Sequence, residues 1–394
     1  MGGMGASFRT RGIVENVIAR NVSARGDQAV LVAKQLGEKL VAPDLKLVVV
    51  FADWRLEPAT FVRELQRVLG RVPFVGCTAI GVVGSIGLDG PATVALGLYG
   101  DGLRAGVGVA TDLSKHALAR SRDAVDRAAQ ALGLRCDQLD ATRHVAFTLA
   151  EGSAQIEEAF CIGSAAAAPQ IRVVGGCAST ELDARGAAPL GPTAVWAHGE
   201  IMVDAGVAVL LELARPFEAI TSCHLVPTDV KTVVTAATGR TIEELDGIPA
   251  PRRLAELLDR LGVQFDEHKP TTYSFARVID GVPYVRSIRH VERDRIQLAS
   301  GVEPGHVLRI MKPGDLIALT KRDLAAAKER LGSIDALLAF SCVHRDWEAK
   351  GRSTAAELAA LYDSYPTTGF QSFGEQTGML FVNHTLTALA IGGG

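Results

Sequence analysis

Two charged residues near the C-terminus sit where open α/β proteins carry out their chemistry. Arg345 follows the apolar run Ala336-Leu337-Leu338-Ala339-Phe340-Ser341-Cys342, and Glu375 closes a segment with two glycines, Thr368-Gly369-Phe370-Gln371-Ser372-Phe373-Gly374-Glu375. Buried strands in such sheets bind ligands at their C-terminal ends. A guanidinium there can hold a carboxylate through two parallel hydrogen bonds and a carboxylate can hold an amine, so the pair suits a zwitterionic ligand. The two could equally bond to each other as a structural ion bridge. Upstream, Gly76-Cys77-Thr78 and Gly175-Gly176-Cys177-Ala178-Ser179 each follow an apolar strand. Their backbone N–H groups could cradle an anion, or their small side chains could simply allow close strand-to-helix packing. Enzyme chemistry has weaker support. A nucleophilic Cys77 or Cys177 needs an adjacent base, and the sequence brings neither His144 nor His344 to either. The sequence has no G-x-S-x-G elbow, Walker loop or HExxH motif. A cysteine-dependent hydrolase or transferase is the rival class.

The elements that must position these groups follow from periodicity. Ala29, Val30, Ala33, Leu36 and Leu40 mark a helical face, Leu45 to Phe51 reads as a strand buried on both sides, and Pro58 suits the first position of a helix facing inward through Phe61, Val62 and Leu65. Strands are expected at 72–75, 93–98 and 103–110, the last two forming a hairpin through Gly100-Asp101-Gly102. The order recurs about one hundred residues later, with a strand at 144–149, a helix at 153–165, a strand at 171–174, and strands at 193–197 and 206–213. Gly76-Cys77 and Gly176-Cys177 then occupy matching places, as if two half-sites faced one cavity. From Phe217 the pattern changes. Thr241-Ile242-Glu243-Glu244 has capping-box spacing and predicts a short helix, followed by a helix through Leu254, Leu257, Leu258 and Leu261. A hairpin turns at Asp280-Gly281, strands are expected at 295–298 and 307–311, and Thr320 is expected to cap a helix that ends at Gly332. Polar His344-Arg345-Asp346 and the segment 368–375 read as loops, with a helix from Thr354 between them. An apolar strand from Met379 to Leu386, interrupted by Asn383-His384, closes the pattern.

Several strings resemble the FIST family of sensor domains. Phe340-Ser341-Cys342, Arg345, Gly369-Phe370, Phe373-Gly374-Glu375 and Asn383 with Thr385-Leu386-Thr387 are similar to its C-terminal half, as are Val234-Thr235, Ile242, Leu245-Asp246-Gly247 and Pro249-Ala250. Pro73-Phe74-Val75-Gly76-Cys77-Thr78 is similar to its N-terminal half. The resemblance spans roughly residues 40 to 392. It implies a cytoplasmic sensor with no chemistry of its own, binding a small molecule such as an amino acid or a related metabolite. Arg345, Glu375, Gly76, Cys77, Thr78, Gly176, Cys177 and Asn383 are the candidate contacts. With no output module evident, the signal would pass to a separate protein, a histidine kinase or another signalling partner, and a homo-oligomer is compatible with this scheme. Some proteins of this type are haem-based nitric oxide sensors, so the resemblance also raises haem b, held non-covalently through one imidazole from an apolar wall. His198, beside Trp196, is the first candidate ligand and His384 the second.

Composition agrees with this class. The expected fold is α/β, with two halves of mixed β-sheets flanked by helices, and the first half carries the duplicated βαβ-plus-hairpin unit. Residues 1–26 are expected to be flexible, 27–216 to form the N-terminal domain and 217–394 the C-terminal one. The 394 residues are 48% hydrophobic and only 5% aromatic, with a formal charge of −3. That balance argues against phosphate-driven nucleic-acid binding, and no apolar run is long enough for membrane insertion. Six cysteines without a CxxC pair read as free thiols, and neither Cys223-His224 nor Cys342 with His344 has structural zinc spacing.

Overall fold

The computed structural model describes residues 17–84, 91–152, 155–183, 189–265 and 273–393. Three units follow one another. The first holds strand β1 (Ile18–Arg25), helix α1 (Ala29–Leu40), β2 (Leu45–Asp53), α2 (Pro58–Leu69), β3 (Phe74–Ala79), β4 (Val82–Gly84) and β5 (Ala92–Tyr99). The second holds β6 (Leu103–Ala110), α3 (Leu113–Ala131), β7 (His144–Ala150), α4 (Glu157–Ala167), β8 (Arg172–Cys177), β9 (Val195–Ala197), β10 (Glu200–Met202) and β11 (Gly206–Leu213). The third starts with β12 (Phe217–Cys223) and is interrupted by an insertion. That insertion comprises β13 (Leu225–Thr238), β14 (Thr241–Leu245), β15 (Ile248–Pro249), α5 (Ala250–Asp259), β16 (Ser274–Ile279), β17 (Val282–Arg286), β18 (Ile288–Val291), β19 (Ile296–Leu298) and β20 (Val307–Pro313). The unit resumes with α6 (Leu316–Leu331), β21 (Ala336–Cys342), α7 (Val343–Gly351), α8 (Ala355–Asp363), β22 (Thr367–Ser372), β23 (Glu375–Thr377), β24 (Leu380–Val382) and β25 (Thr385–Ile391).

The α/β reading in two halves holds, and the structure extends it: the duplicated unit has a third copy in the second half. The three sheets run β1-β5-β2-β3, β6-β11-β7-β8 and β12-β25-β21-β22, each with one parallel pair at the same place. Each sheet is completed by its neighbour. Strand β9 of the second unit pairs with β3 of the first, β23 of the third with β8 of the second, and β4 of the first with β22 of the third. The exchange is cyclic, so it closes the three units into a ring and covers three sheet edges that would otherwise invite outside strands. The inner faces share one core in which Phe51, Leu149 and Phe340 hold equivalent positions, and the Phe51 and Phe340 rings meet edge-on at 6.2 Å. Helices cover each outer face with a separate core.

Local chemistry accounts for two of the helix starts. Glu57 caps α2 by accepting from the Ala59 and Thr60 amides, with Pro58 following it. Asp315 caps α6 through the Ala318 amide, so this helix begins before the expected Thr320 cap. Thr320 lies inside the helix, its hydroxyl donating to Leu316 O.

Several expectations are corrected. The Thr241–Glu244 capping box is part of strand β14, whose Ile242 is pulled into the insertion's core. Strands β5 and β6 do not form a hairpin. Each pairs within its own sheet, and the 100–102 turn joins two units. The presumed loop at 344–346 is helix α7, the presumed loop at 368–375 is mostly β22, and the last apolar run divides into β24 and β25 around Asn383-His384, where His384 adopts φ 52°. The expected flexible N-terminus contains β1, fully paired with β5. Residues 1–16, like residues 85–90 and the predicted helix start at 153–154, lie outside the described residues. Among the described residues no helix is long and apolar enough to cross a membrane.

Candidate functional site

The strand ladders first settle how the two upstream turns relate. Phe51 is opposite Cys77 in the first unit and Leu149 is opposite Gly176 in the second, so Cys77 corresponds to Gly176 and Cys177 to Thr78. The expected match of Cys77 with Cys177 is off by one residue, and in a strand one residue reverses the face. Cys77 accordingly points into the inner core and Cys177 into the outer core under α4. Burial pushes both thiols well above the usual cysteine range, and neither touches a base. Gly76 has no room for a side chain, since a Cβ would stand 1.8 Å from Val50 O.

The three turns clasp one another at the end of the ring. Ser179 N donates to Thr78 O at 3.0 Å, and Phe373 N donates to Cys177 O at 3.2 Å. At the third junction the Ser179 hydroxyl is interposed, accepting from Ile80 N at 3.0 Å and donating to Gln371 O. Thr78 N and Cys177 N are bonded to Ala194 O and Gly374 O. The amides expected to receive an anion are therefore engaged by the chain itself.

The third turn leads into a cluster of buried polar side chains. Arg345, Glu375 and Asn383 are all 0% exposed and His384 is 2% exposed. Arg345 and Glu375 do not form an ion pair. Arg345, on α7, donates to Thr320 Oγ1 at 2.7 Å and to Ser222 O at 3.5 Å, and its Nε has no partner. Glu375, opposite Gly176 in the ladder, accepts from Ser372 Oγ at 2.5 Å, while its Oε2 is unpartnered. Burial pushes the Glu375 carboxyl well above the usual carboxylate range, against hydrogen bonding from Ser372 and the charge of Arg345.

Three imidazoles stack beside these groups. The His384 ring lies 4.9 Å from His344 and 6.0 Å from His224, and its Nδ1 is 2.6 Å from Ser287 Oγ of the insertion. His224 Nε2 meets Glu348 Oε2 at 2.7 Å, and Glu348 also meets Arg352 at 3.1 Å. Burial lowers all three imidazole pKa values, His344 to about 4, so they are neutral near pH 7. Cys342 lies 3.5 Å from His344 Nδ1, yet burial and the neighbouring Glu375 raise its thiol well above the usual range, which works against a thiolate–imidazolium pair. Asn383 leaves both its side-chain oxygen and nitrogen unpartnered, as do His344 Nε2, His224 Nδ1 and Ser222 Oγ.

The sequence candidates therefore divide. The ring brings Glu375, Asn383 and the turns at 76–81 and 175–179 together, with Arg345 behind them. His198 lies elsewhere, exposed in the tight turn between β9 and β10 with φ 54°, so the apolar wall belongs to Trp196 and not to the imidazole. His384 is held by Ser287 and covered by His344. His198 stands in solvent outside any apolar pocket and His384 is already bonded and packed against a second imidazole, so the residues present do not fit haem. Among the described residues no trio of His, Cys, Asp or Glu is placed to hold a metal ion. Sequence reasoning missed Ser287, Thr320 and the His224–Glu348 pair, which lie far from their partners along the chain. The apolar flanks of His224 and His384 were the available hint.

Comparisons with known proteins bear on the whole chain. The FIST N domain profile matches residues 46–248, and the FIST C domain profile matches residues 250–377. No curated protein matches the sequence. Among solved structures, a crystal structure of cyanuric acid hydrolase from A. caulinodans aligns over 96% of this chain and 99% of its own, at 10% identity and a TM-score of 0.38. That likeness is too loose to support any conclusion about this chain.

Proposed function

Because this chain belongs to the FIST family, whose domains are sensors in signal transduction, we propose that it recognises a small polar metabolite, an amino acid or a close derivative, in the cluster around Asn383, Glu375 and His384. The observation that carries this is the concentration of unpartnered buried polar atoms there, on β12, α7, β23 and the 383–384 turn. Each such atom costs about 1–3 kcal/mol when nothing completes it, and native interiors hold few of them. A ligand with its own donors and acceptors offsets that cost. Asn383 supplies one donor and one acceptor, Glu375 can give its proton to meet an amine, and Arg345 lends positive potential for a carboxylate.

The cluster also has a route for its signal. His384 bonds Ser287 of the insertion, and the insertion is anchored to the second unit by Arg240, which contacts both Glu157 and Glu158. Ligand entry at His384 therefore shifts the insertion relative to the ring, a change that a separate partner protein can read. The neutral Cys342–His344 pair and the buried Cys77 and Cys177 favour recognition over catalysis.

A thermal-shift series with the twenty amino acids tests this reading. At least one should raise the melting temperature with a concentration dependence that saturates. Asn383→Ala and Glu375→Gln should abolish the rise while retaining native circular dichroism. A wild-type protein indifferent to all twenty, or variants that respond unchanged, would remove the amino-acid reading.

A further inference from the structure

A second set of buried charges lies outside that cluster, on the insertion hairpin β16–β17. Arg286 is 6% exposed and donates to Phe381 O at 2.7 Å, while its Nε has no partner. Phe275 is opposite Arg286 in the ladder, so Arg277, two residues beyond Phe275, shares its face as the diagonal neighbour. Among the described residues neither arginine has an ion-pair partner. Glu158, whose charge acts on Arg286, is already held by Arg240 and by the Gly301 amide. His306, leading into β20, lies in the field of both arginines and 3.8 Å from the Glu303 carboxylate. Two neighbouring guanidinium groups of like charge, one of them desolvated, are costly without a counter-ion. A folded chain tolerates them where an anion completes the set.

We propose that the seam between this hairpin and helix α4 binds a doubly charged oxyanion, a phosphate or the phosphoryl group of a small metabolite, gripped by Arg286 and Arg277 with His306 at the rim. Guanidinium forks bond phosphate oxygens in pairs, and a phosphate keeps a further oxygen for a second arginine where a carboxylate has only two. Such an anion would tie the insertion to the second unit through side chains other than Ser287 and His384. It would therefore act on the same insertion as the cluster without sharing its residues.

Titration calorimetry on the full chain, at ionic strength held constant with potassium chloride, tests this with inorganic phosphate in one arm and glycerol 3-phosphate in the other. Saturable binding of either is expected, and the tighter arm identifies the source of the phosphoryl group. Arg286→Gln and Arg277→Gln should each weaken it at least tenfold, and Asn383→Ala should leave it unchanged. Since Arg277 is only partly buried, its variant decides the matter even if Arg286→Gln fails to fold. No saturable heat in the wild type, or equal binding in the arginine variants, overturns the site. A loss in Asn383→Ala as well would show that phosphate binds in the cluster and not the seam, which also overturns it.

Discussion

The first two units and the third treat one position in opposite ways. Asp53, Glu151 and Cys342 are equivalent: Asp53 and Cys342 end β2 and β21, and Glu151 directly follows Ala150, the last residue of β7. Arg55 donates to both Asp53 oxygens at 2.8 and 2.7 Å, and Glu151 accepts from Thr193 Oγ1 at 2.6 Å and Asp204 N at 3.1 Å. Those two carboxylates are satisfied by their own units. In the third unit a thiol replaces the acid, and Glu375, from the strand lent to the second unit, comes close with one oxygen unpartnered. A repeat can hold the fold in two copies and leave the third free to recognise something. What differs is whether polar groups are closed locally or left open at a junction.

The largest expected effect tests the shared part. Phe340→Ala should cost about 3–5 kcal/mol by chemical denaturation, because the ring supports the core of all three sheets and not one alone. Ser179→Ala should cost about 1–3 kcal/mol, since Ile80 N and Gln371 O lose the hydroxyl that bridges them. If it cost no more than an exposed serine, the closed clasp would not be a stability element.

The contrast between copies sharpens with paired substitutions. Asp53→Asn should cost about 1–3 kcal/mol by breaking a bidentate ion pair. Glu375→Gln should cost less than about 1 kcal/mol at pH 7, because burial favours the protonated carboxyl and the amide has the same shape without a charge. Equal costs would mean that Glu375 is ionised and structural.

Acid should expose the third unit first. His344 has its pKa lowered from 6.5 to about 4, and His224 and His384 are lowered too, so their contribution is complete above pH 6.5 and is lost as pH falls through that window. Each adds a slope of up to about 1.4 kcal/mol per pH unit. Glu375 acts in the opposite sense: its raised pKa stabilises below the unfolded value near 4.5 and is lost as pH rises through the folded value. Three imidazoles outweigh one carboxyl, so stability measured by urea unfolding should fall between pH 6.5 and 4. His344→Gln should flatten that fall and Glu375→Gln should steepen it. The smallest effect concerns the cysteines: Cys77 and Cys177 should resist iodoacetamide at neutral pH in the native protein and react only in denaturant, as buried neutral thiols do.

Much of the scaffold was legible because it is local. The unbroken apolar run Leu45 to Phe51, the Pro58 helix start and the Asp280-Gly281 turn each need only neighbours in the chain, and the structure contains all three. Thr241–Glu244 misled because its capping pattern is local, whereas the burial of Ile242 that makes it a strand is not. Gly76-Cys77 and Gly176-Cys177 look alike as strings, and only the ladder shows them one residue out of step.

By itself the sequence determined the alternation of strand and helix, the repeat in the first half and the polar residues stranded after apolar runs. These depend on hydrophobic period and backbone preference, which act over a few residues. The tertiary structure alone decided that a third unit exists around a long insertion, that each sheet borrows a strand from its neighbour, and that Arg345 and Glu375 are buried without pairing. Those outcomes depend on contacts such as Gly176 with Glu375 and Ser287 with His384. Such contacts form between distant segments only once the ring closes, so no short window of sequence carries them.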